Sequence, residues 1–180
     1  MSRIPAFAPE TATGHVKELL ETVKKWLGGT PNLFRVAAQS PTTLEGLVGL
    51  FGALAKGKLD ARSREAVALA VSEFDACDYC LSAHSALGKG AGLREDQIAR
   101  ARNADAEDPR LAAMLRFALL VTERRGHVSA TDVATVRAAG ASDGEILEIV
   151  ANVALTTFTN YLNEVAATDI DFPVVKHHAR

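Results

Sequence analysis

The 180-residue sequence predicts an all-α protein. Three observations support this. Apolar residues recur at helical spacing along most of the chain, as at Val16, Leu19, Leu20, Val23 and Leu27. No segment combines sustained apolar–polar alternation with β-branched enrichment, the mark of a half-buried strand. Capping pairs and glycine stops, such as Ser142-Asp143-Gly144-Glu145 and Gly28-Gly29, punctuate the chain. A bundle of about eight helices is expected.

Taken in order, residues 1–12 hold Pro5 and Pro9 and read as an extended arm. A helix starts at Thr13 and stops at Gly28, with Trp26 as a packing anchor near its end. Residues 32–39 form a short helix ended by Ser40-Pro41. Thr42-Thr43-Leu44-Glu45 reads as a capping box for a helix through Leu47, Val48, Phe51 and Leu54. Asp60, with Ser63 as rival, caps the next helix. Its stretch 66–71 is apolar all round, so it is expected to be buried on several sides.

A helix follows from Asp78 to about Gly88. Gly88, Gly90 and Gly92 read as its end and turn rather than a phosphate loop, because they follow a helix and no Lys-Ser/Thr comes after. Residues 94–101 form a short polar helix. Pro109 opens a longer one, and Ser129-Ala130-Thr131-Asp132 caps another. The Ser142 box opens the longest helix, to about Ala167. Its apolar positions wrap more than one face, which suits a central helix or a subunit interface. The last residues, from about 168, read as a tail.

Length suits one domain over residues 1–180. Net charge is −2 and no dense basic run exists, which argues against nucleic-acid binding. No apolar run approaches the ~20 residues of a membrane span, and the N-terminus lacks the apolar core of a signal peptide. The expected compartment is the cytoplasm. There a Cys-x-x-Cys pair is more often redox-active or metal-binding than a structural disulfide.

Such a pair is present. Cys77 and Cys80 are the sole cysteines, and His84 follows one turn later. On a helix the three form one stripe. A thiolate at a helix N-terminus is favoured by the macrodipole, which points to Cys77 as the more acidic thiol. His84 can accept or relay a proton near neutral pH. Core filling by two small apolar residues is the plain alternative. Zinc is another, but Cys77, Cys80 and His84 supply three of the four ligands a structural site needs, and His177-His178 would have to fold back. Haem attachment requires a histidine directly after the second cysteine, where Leu81 stands.

Glu65 either contributes a carboxylate or merely suits its helix N-terminus, and Glu73 with Asp75 reads as a solvated turn. Twelve residues of continuous helix span about 18 Å, so Glu65 approaches the thiols only through a bend, a returning helix or a neighbouring subunit.

The run from Glu65 to Ser72, followed by Cys77-x-x-Cys80-x-x-x-His84, resembles the carboxymuconolactone decarboxylase-like superfamily, specifically its alkylhydroperoxidase D branch. The resemblance is specific over about 59–98. More loosely, residues 32–35 and 169–173 resemble the peroxidase-related subgroup. It implies an alkylhydroperoxidase D-like helical bundle assembled as a trimer or hexamer. It also implies a thiol peroxidase acting on a hydroperoxide, with no bound cofactor or metal. Cys80 corresponds to the cysteine oxidised to a sulfenic acid and Cys77 to the resolving cysteine. His84 and Glu65 correspond to the proton relay. The reductant would be a dithiol such as a lipoyl group, on a lipoylated or thioredoxin-like protein. Tyr79 stands where the family has histidine, and a phenol is a poor base at neutral pH. Other readings are a disulfide reductase or redox sensor using the same pair, a carboxymuconolactone decarboxylase, which needs no thiols, and a non-enzymatic binding module.

Overall fold

The computed structural model describes residues 2–178. Among them are nine α-helices, a 3-10 turn at Pro9–Thr11 and no strand. The helices are α1 (Gly14–Leu27), α2 (Asn32–Ala37), α3 (Pro41–Leu54), α4 (Ala61–Phe74), α5 (Asp78–Gly90), α6 (Glu95–Arg102), α7 (Pro109–Glu123), α8 (Ala130–Ala138) and α9 (Asp143–Ala166). No helix is long and apolar enough to cross a membrane among these residues.

Helix α4 is the hub. It packs against α5, α6, α7 and α9, and every residue from Ala66 to Ser72 is buried. This is the burial that its unbroken apolar surface requires. One core gathers around α4, α7 and α9, with Val67, Leu69, Leu115 and Ile149 at its centre. A second lies among α1, α2 and α3 around Val23, Leu44 and Leu47. A third, small cluster contains Cys77, Tyr79, Cys80 and Ala83, closed by Leu33, Ile170 and Phe172.

Local signals place most helix starts. Asp60 accepts from Ser63 N–H at 2.7 Å. Ser142 and Glu145 form the reciprocal box, as do Ser129 and Asp132. The box at Thr42 is corrected: Ser40 Oγ accepts from Thr43 N–H, so α3 starts at Pro41. Proline suits that first position because its missing N–H would be unpaired there anyway. Trp26 is also corrected in part: it stacks on Phe51 at 5.9 Å but stays 45% exposed.

Between α4 and α5 the chain reverses in three residues. Ala76 adopts the left-handed conformation (φ 56°), and Cys77 N–H donates back to Ser72 O at 3.1 Å. This closes the end of α4 and starts α5 antiparallel to it.

Two expectations about solvation are overturned. Glu73 is not a solvated residue: its carboxylate pairs with Arg102 at 2.7 Å, both side chains being nearly buried. Asp75 accepts from Asn160 Nδ2 at 2.7 Å. The tail likewise folds back along the α4–α5 hairpin. Val175 N–H donates to Ser82 Oγ at 2.9 Å, Lys176 and His177 both contact Asp78 at 2.8 Å, and His178 N–H donates to Glu73 at 2.7 Å.

Helix α9 turns an unusual face inward. Asn152, Thr156, Thr159, Asn160 and Asn163 are buried, whereas Leu147, Tyr161 and Val165 lie mostly exposed. A polar seam thus runs through the core side of the longest helix, beside the cysteines.

Candidate active site

The hairpin turn makes Cys77 the N-cap of α5. Its Sγ accepts from Cys80 N–H at 3.5 Å. Cys80 lies inside the first turn, with 2% of its surface exposed, and both cysteines are free thiols. His84 follows on the same stripe. Because α5 runs antiparallel to α4, Glu65 near the start of α4 faces His84, and Glu65 Oε2 lies 2.8 Å from His84 Nδ1. The returning helix closes the gap directly, without a bridging group. Nε2 is then the ring's remaining proton site.

Cys80 also contacts α9: Asn163 Nδ2–H donates to its Sγ at 3.2 Å. The two thiols therefore differ sharply. Burial opposes ionisation of Cys80, but the Cys77 thiol, the His84 charge, the Asn163 amide and the Thr159 hydroxyl outweigh it and lower its pKa. Cys77 is pushed up, first by its hydrogen bond to Cys80, then by burial and by the negative charge on Cys80. The dipole expectation is thus reversed: Cys80 is the more acidic thiol. The macrodipole acts on both sulfurs within one turn, so their mutual hydrogen bond and the nearby imidazole decide between them. Burial favours neutral His84, yet the Glu65 contact outweighs it and raises its pKa.

A cavity of about 100 Å³ adjoins these groups. Cys80, His84 and Glu65 line it together with apolar Phe51, Leu155 and Phe172. Cys77 is absent from that lining and sits behind Cys80.

Tyr79 takes no part in the Glu65–His84 contact. Its O–H donates to Asp171 at 2.8 Å, its oxygen accepts from Leu33 N–H at 3.0 Å, and its ring meets Phe172 edge-on. Burial pushes its pKa up. It clamps the tail over the site. His177 and His178 do fold back, onto Asp78 and Glu73. Among the described residues no group of three or more His, Cys, Asp or Glu side chains is arranged to hold a metal ion.

The structure therefore brings Glu65, His84, Cys80 and Cys77 together, and Tyr79 lines the same cavity with its hydroxyl engaged by Asp171 and Leu33. Sequence reasoning missed Asn163, Thr159 and Asp171. The one signal for Asn163 was a run of amides and threonines on a helix otherwise rich in apolar residues.

Residues 41–124 match the model of the Carboxymuconolactone decarboxylase family. Among curated proteins no sequence matches the chain. Solved structures do. A peroxidase-related protein from Ralstonia eutropha JMP134, an alkylhydroperoxidase AhpD core, superposes with a TM-score of 0.85 at 24% identity, covering 94% of this chain and 92% of that one. A peroxidase-related protein from Silicibacter sp. TM1040 gives a TM-score of 0.79 at 22% identity, over 92% and 91%. A cysteine-to-alanine variant of the debrominase Bmp8, in complex with 2,3,4-tribromopyrrole, gives 0.80 at 19% identity, over 93% and 91%. At these identities the likeness establishes the fold.

Proposed function

We propose, from the match of residues 41–124 to the Carboxymuconolactone decarboxylase family model and from the alkylhydroperoxidase D-like fold, that the chain is a thiol-dependent hydroperoxide reductase of that superfamily. The observation that carries this reading is the placing of one sulfur. Cys80, the more acidic thiol, lies on the cavity wall beside the Glu65–His84 pair, with Cys77 directly behind it.

The chemistry follows from that order. The Cys80 thiolate attacks the terminal oxygen of a hydroperoxide ROOH. The S–O bond forms as the O–O bond breaks, and His84 gives the departing alkoxide its proton, leaving ROH and a sulfenic acid. Glu65 holds the imidazolium against burial. Cys77 then attacks the sulfenic sulfur, its proton leaves with the hydroxyl as water, and the Cys77–Cys80 disulfide closes. A dithiol, such as a lipoyl group on a partner protein or a thioredoxin-like protein, restores the pair. The apolar groups exposed on α9 support association into a homo-oligomer.

A decarboxylase would leave this thiol arrangement without use. Hydroperoxide consumption driven by dihydrolipoamide or dithiothreitol tests the reading. Wild type turns over, whereas Cys80→Ser, Cys77→Ser and His84→Ala lose most activity. Full activity in both serine variants overturns it. Turnover with a protein disulfide but not with hydroperoxide makes the protein a disulfide reductase instead.

A further inference from the structure

The cavity beside Cys80 is lined by one charged group that the thiol chemistry does not use. Arg64, in the first turn of α4, borders it next to Glu65. Glu65 itself meets His84, Tyr79 O–H donates to Asp171, and Asn152 and Thr159 donate to backbone oxygens of α9. Arg64 is different. Its Nη1–H donates to Leu59 O, and no carboxylate pairs with its guanidinium among the described residues. The remaining N–H groups of the fork are left for a ligand. Arg64 is half-buried and Ala55, on the same lining, is exposed, so an anion reaches the guanidinium from solvent.

The helices set a spacing. Glu65 lies level with His84, which is one turn, about 6 Å, beyond Cys80 on α5. Arg64 precedes Glu65, and helical side chains lean toward the helix N-terminus, here away from Cys80. The guanidinium therefore stands on the order of 10 Å from the sulfur. Charge sets a direction. The Cys80 thiolate repels an anion at the reacting end, and Arg64 attracts one at the other.

We propose that the hydroperoxide taken by this site carries a carboxylate and that Arg64 binds it. The apolar body then lies against Phe51, Leu155 and Phe172, and the hydroperoxyl end meets Cys80. This deepens the hydroperoxide reading above and rests on it. A guanidinium and a carboxylate can pair through two parallel hydrogen bonds, which fixes orientation as well as position. The carboxylate takes no part in the bond changes. The S–O bond forms as the O–O bond breaks, the terminal hydroxyl passes to sulfur, and the alkoxide leaves with the His84 proton as an alcohol that still bears its carboxylate.

Two hydroperoxides of one shape test this: cumene hydroperoxide with a para-carboxylate, and the same molecule with a para-carboxamide. Single-turnover oxidation of reduced protein at neutral pH and low salt gives their rate ratio. Wild type should favour the carboxylate by about tenfold or more, and added salt should shrink the ratio. Arg64→Met should bring the ratio to about one or below. Arg62→Gln removes an exposed arginine that contacts Gln97 and lies off this cavity, and it should keep the wild-type ratio. A wild-type ratio near one overturns the proposal, as does a ratio that survives Arg64→Met. Equal loss in Arg62→Gln makes the preference a general field effect and overturns the assignment to Arg64.

A binding measurement on wild type covers the case of a variant that fails to fold. 4-Isopropylbenzoate carries no peroxide. It should shift the Arg64 Nε–Hε NMR resonance, whereas 4-isopropylbenzamide should not. An unmoved resonance overturns the subsite. If the benzoate moves it and neither hydroperoxide oxidises Cys80, the hydroperoxide reading fails and the anion subsite stands. If both hydroperoxides react at equal rates, the reading stands and the subsite fails.

Discussion

Glu65 and His84 stand nineteen residues apart in the chain and 2.8 Å apart in the fold. The reversal at Ala76 makes this possible, because it lays α5 back along α4. The contact fixes the order of the site as carboxylate, imidazole, Cys80 and then Cys77. Glu65 meets the imidazole, and neither thiol is its direct partner.

Removing the carboxylate charge tests that order. With Glu65→Gln, burial of His84 is opposed only by the charge on Cys80, and its raised pKa falls. Turnover near neutral pH should drop by about 10²-fold. Stability should follow a set direction. A folded-state pKa above the unfolded value stabilises fully below the unfolded value, and this is lost as pH rises through the folded one. The stability advantage of wild type over Glu65→Gln, from urea denaturation, should therefore be largest in mild acid and shrink as pH rises through the raised His84 pKa. An advantage that grows with pH contradicts the pair.

The asymmetry between the thiols is readable by peptide mapping. Reduced protein treated with limiting alkylating agent near neutral pH should carry the label on Cys80, the lowered thiol, and not on Cys77, the raised one. Labelling of Cys77 first would restore the simple dipole picture.

Tyr79→Phe separates a clamp from a base. It removes the oxygen shared by Asp171 and Leu33 N–H, so stability should fall by about 1–2 kcal/mol. Hydrogen exchange in residues 170–178 should accelerate. Turnover should stay within about threefold of wild type, since Tyr79 is outside the relay. A loss as deep as that of His84→Ala would place the phenol in the chemistry.

Arg102→Met tests the tail's anchorage. It leaves the Glu73 carboxylate nearly buried without its guanidinium and removes the donor to Lys176 O. Breaking such a pair should cost about 3 kcal/mol, read from chemical denaturation. A loss below about 0.5 kcal/mol would mean that the pair behaves as a surface one.

How much of this was legible follows from the range of each interaction. Asp60, Ser129 and Ser142 cap their helices through partners three residues away, so local sequence suffices. The Cys77–Cys80–His84 stripe needs only helical periodicity. Overlapping signals mislead at short range: Thr42 and Ser40 both suit a cap, and Pro41 decides between them. Distant pairing is different. Glu73 and Arg102 are 29 residues apart, Asp75 and Asn160 are 85, and Cys80 and Asn163 are 83. Each polar side chain reads as solvated until its partner is placed. The tail is held by single hydrogen bonds and ion pairs to Glu73, Asp78 and Ser82, which leave no period to detect.

The central claim is that a hydroperoxide meets Cys80 and that Cys77 resolves the product. Peptide-mapped intact mass after one equivalent of hydroperoxide, added to reduced protein, tests it most directly. Wild type should lose two hydrogens and yield the Cys77–Cys80 disulfide, while Cys77→Ser should gain a single oxygen on Cys80. Oxygen on Cys77 in Cys80→Ser with none on Cys80 in Cys77→Ser, or no oxidation in either, would contradict the account.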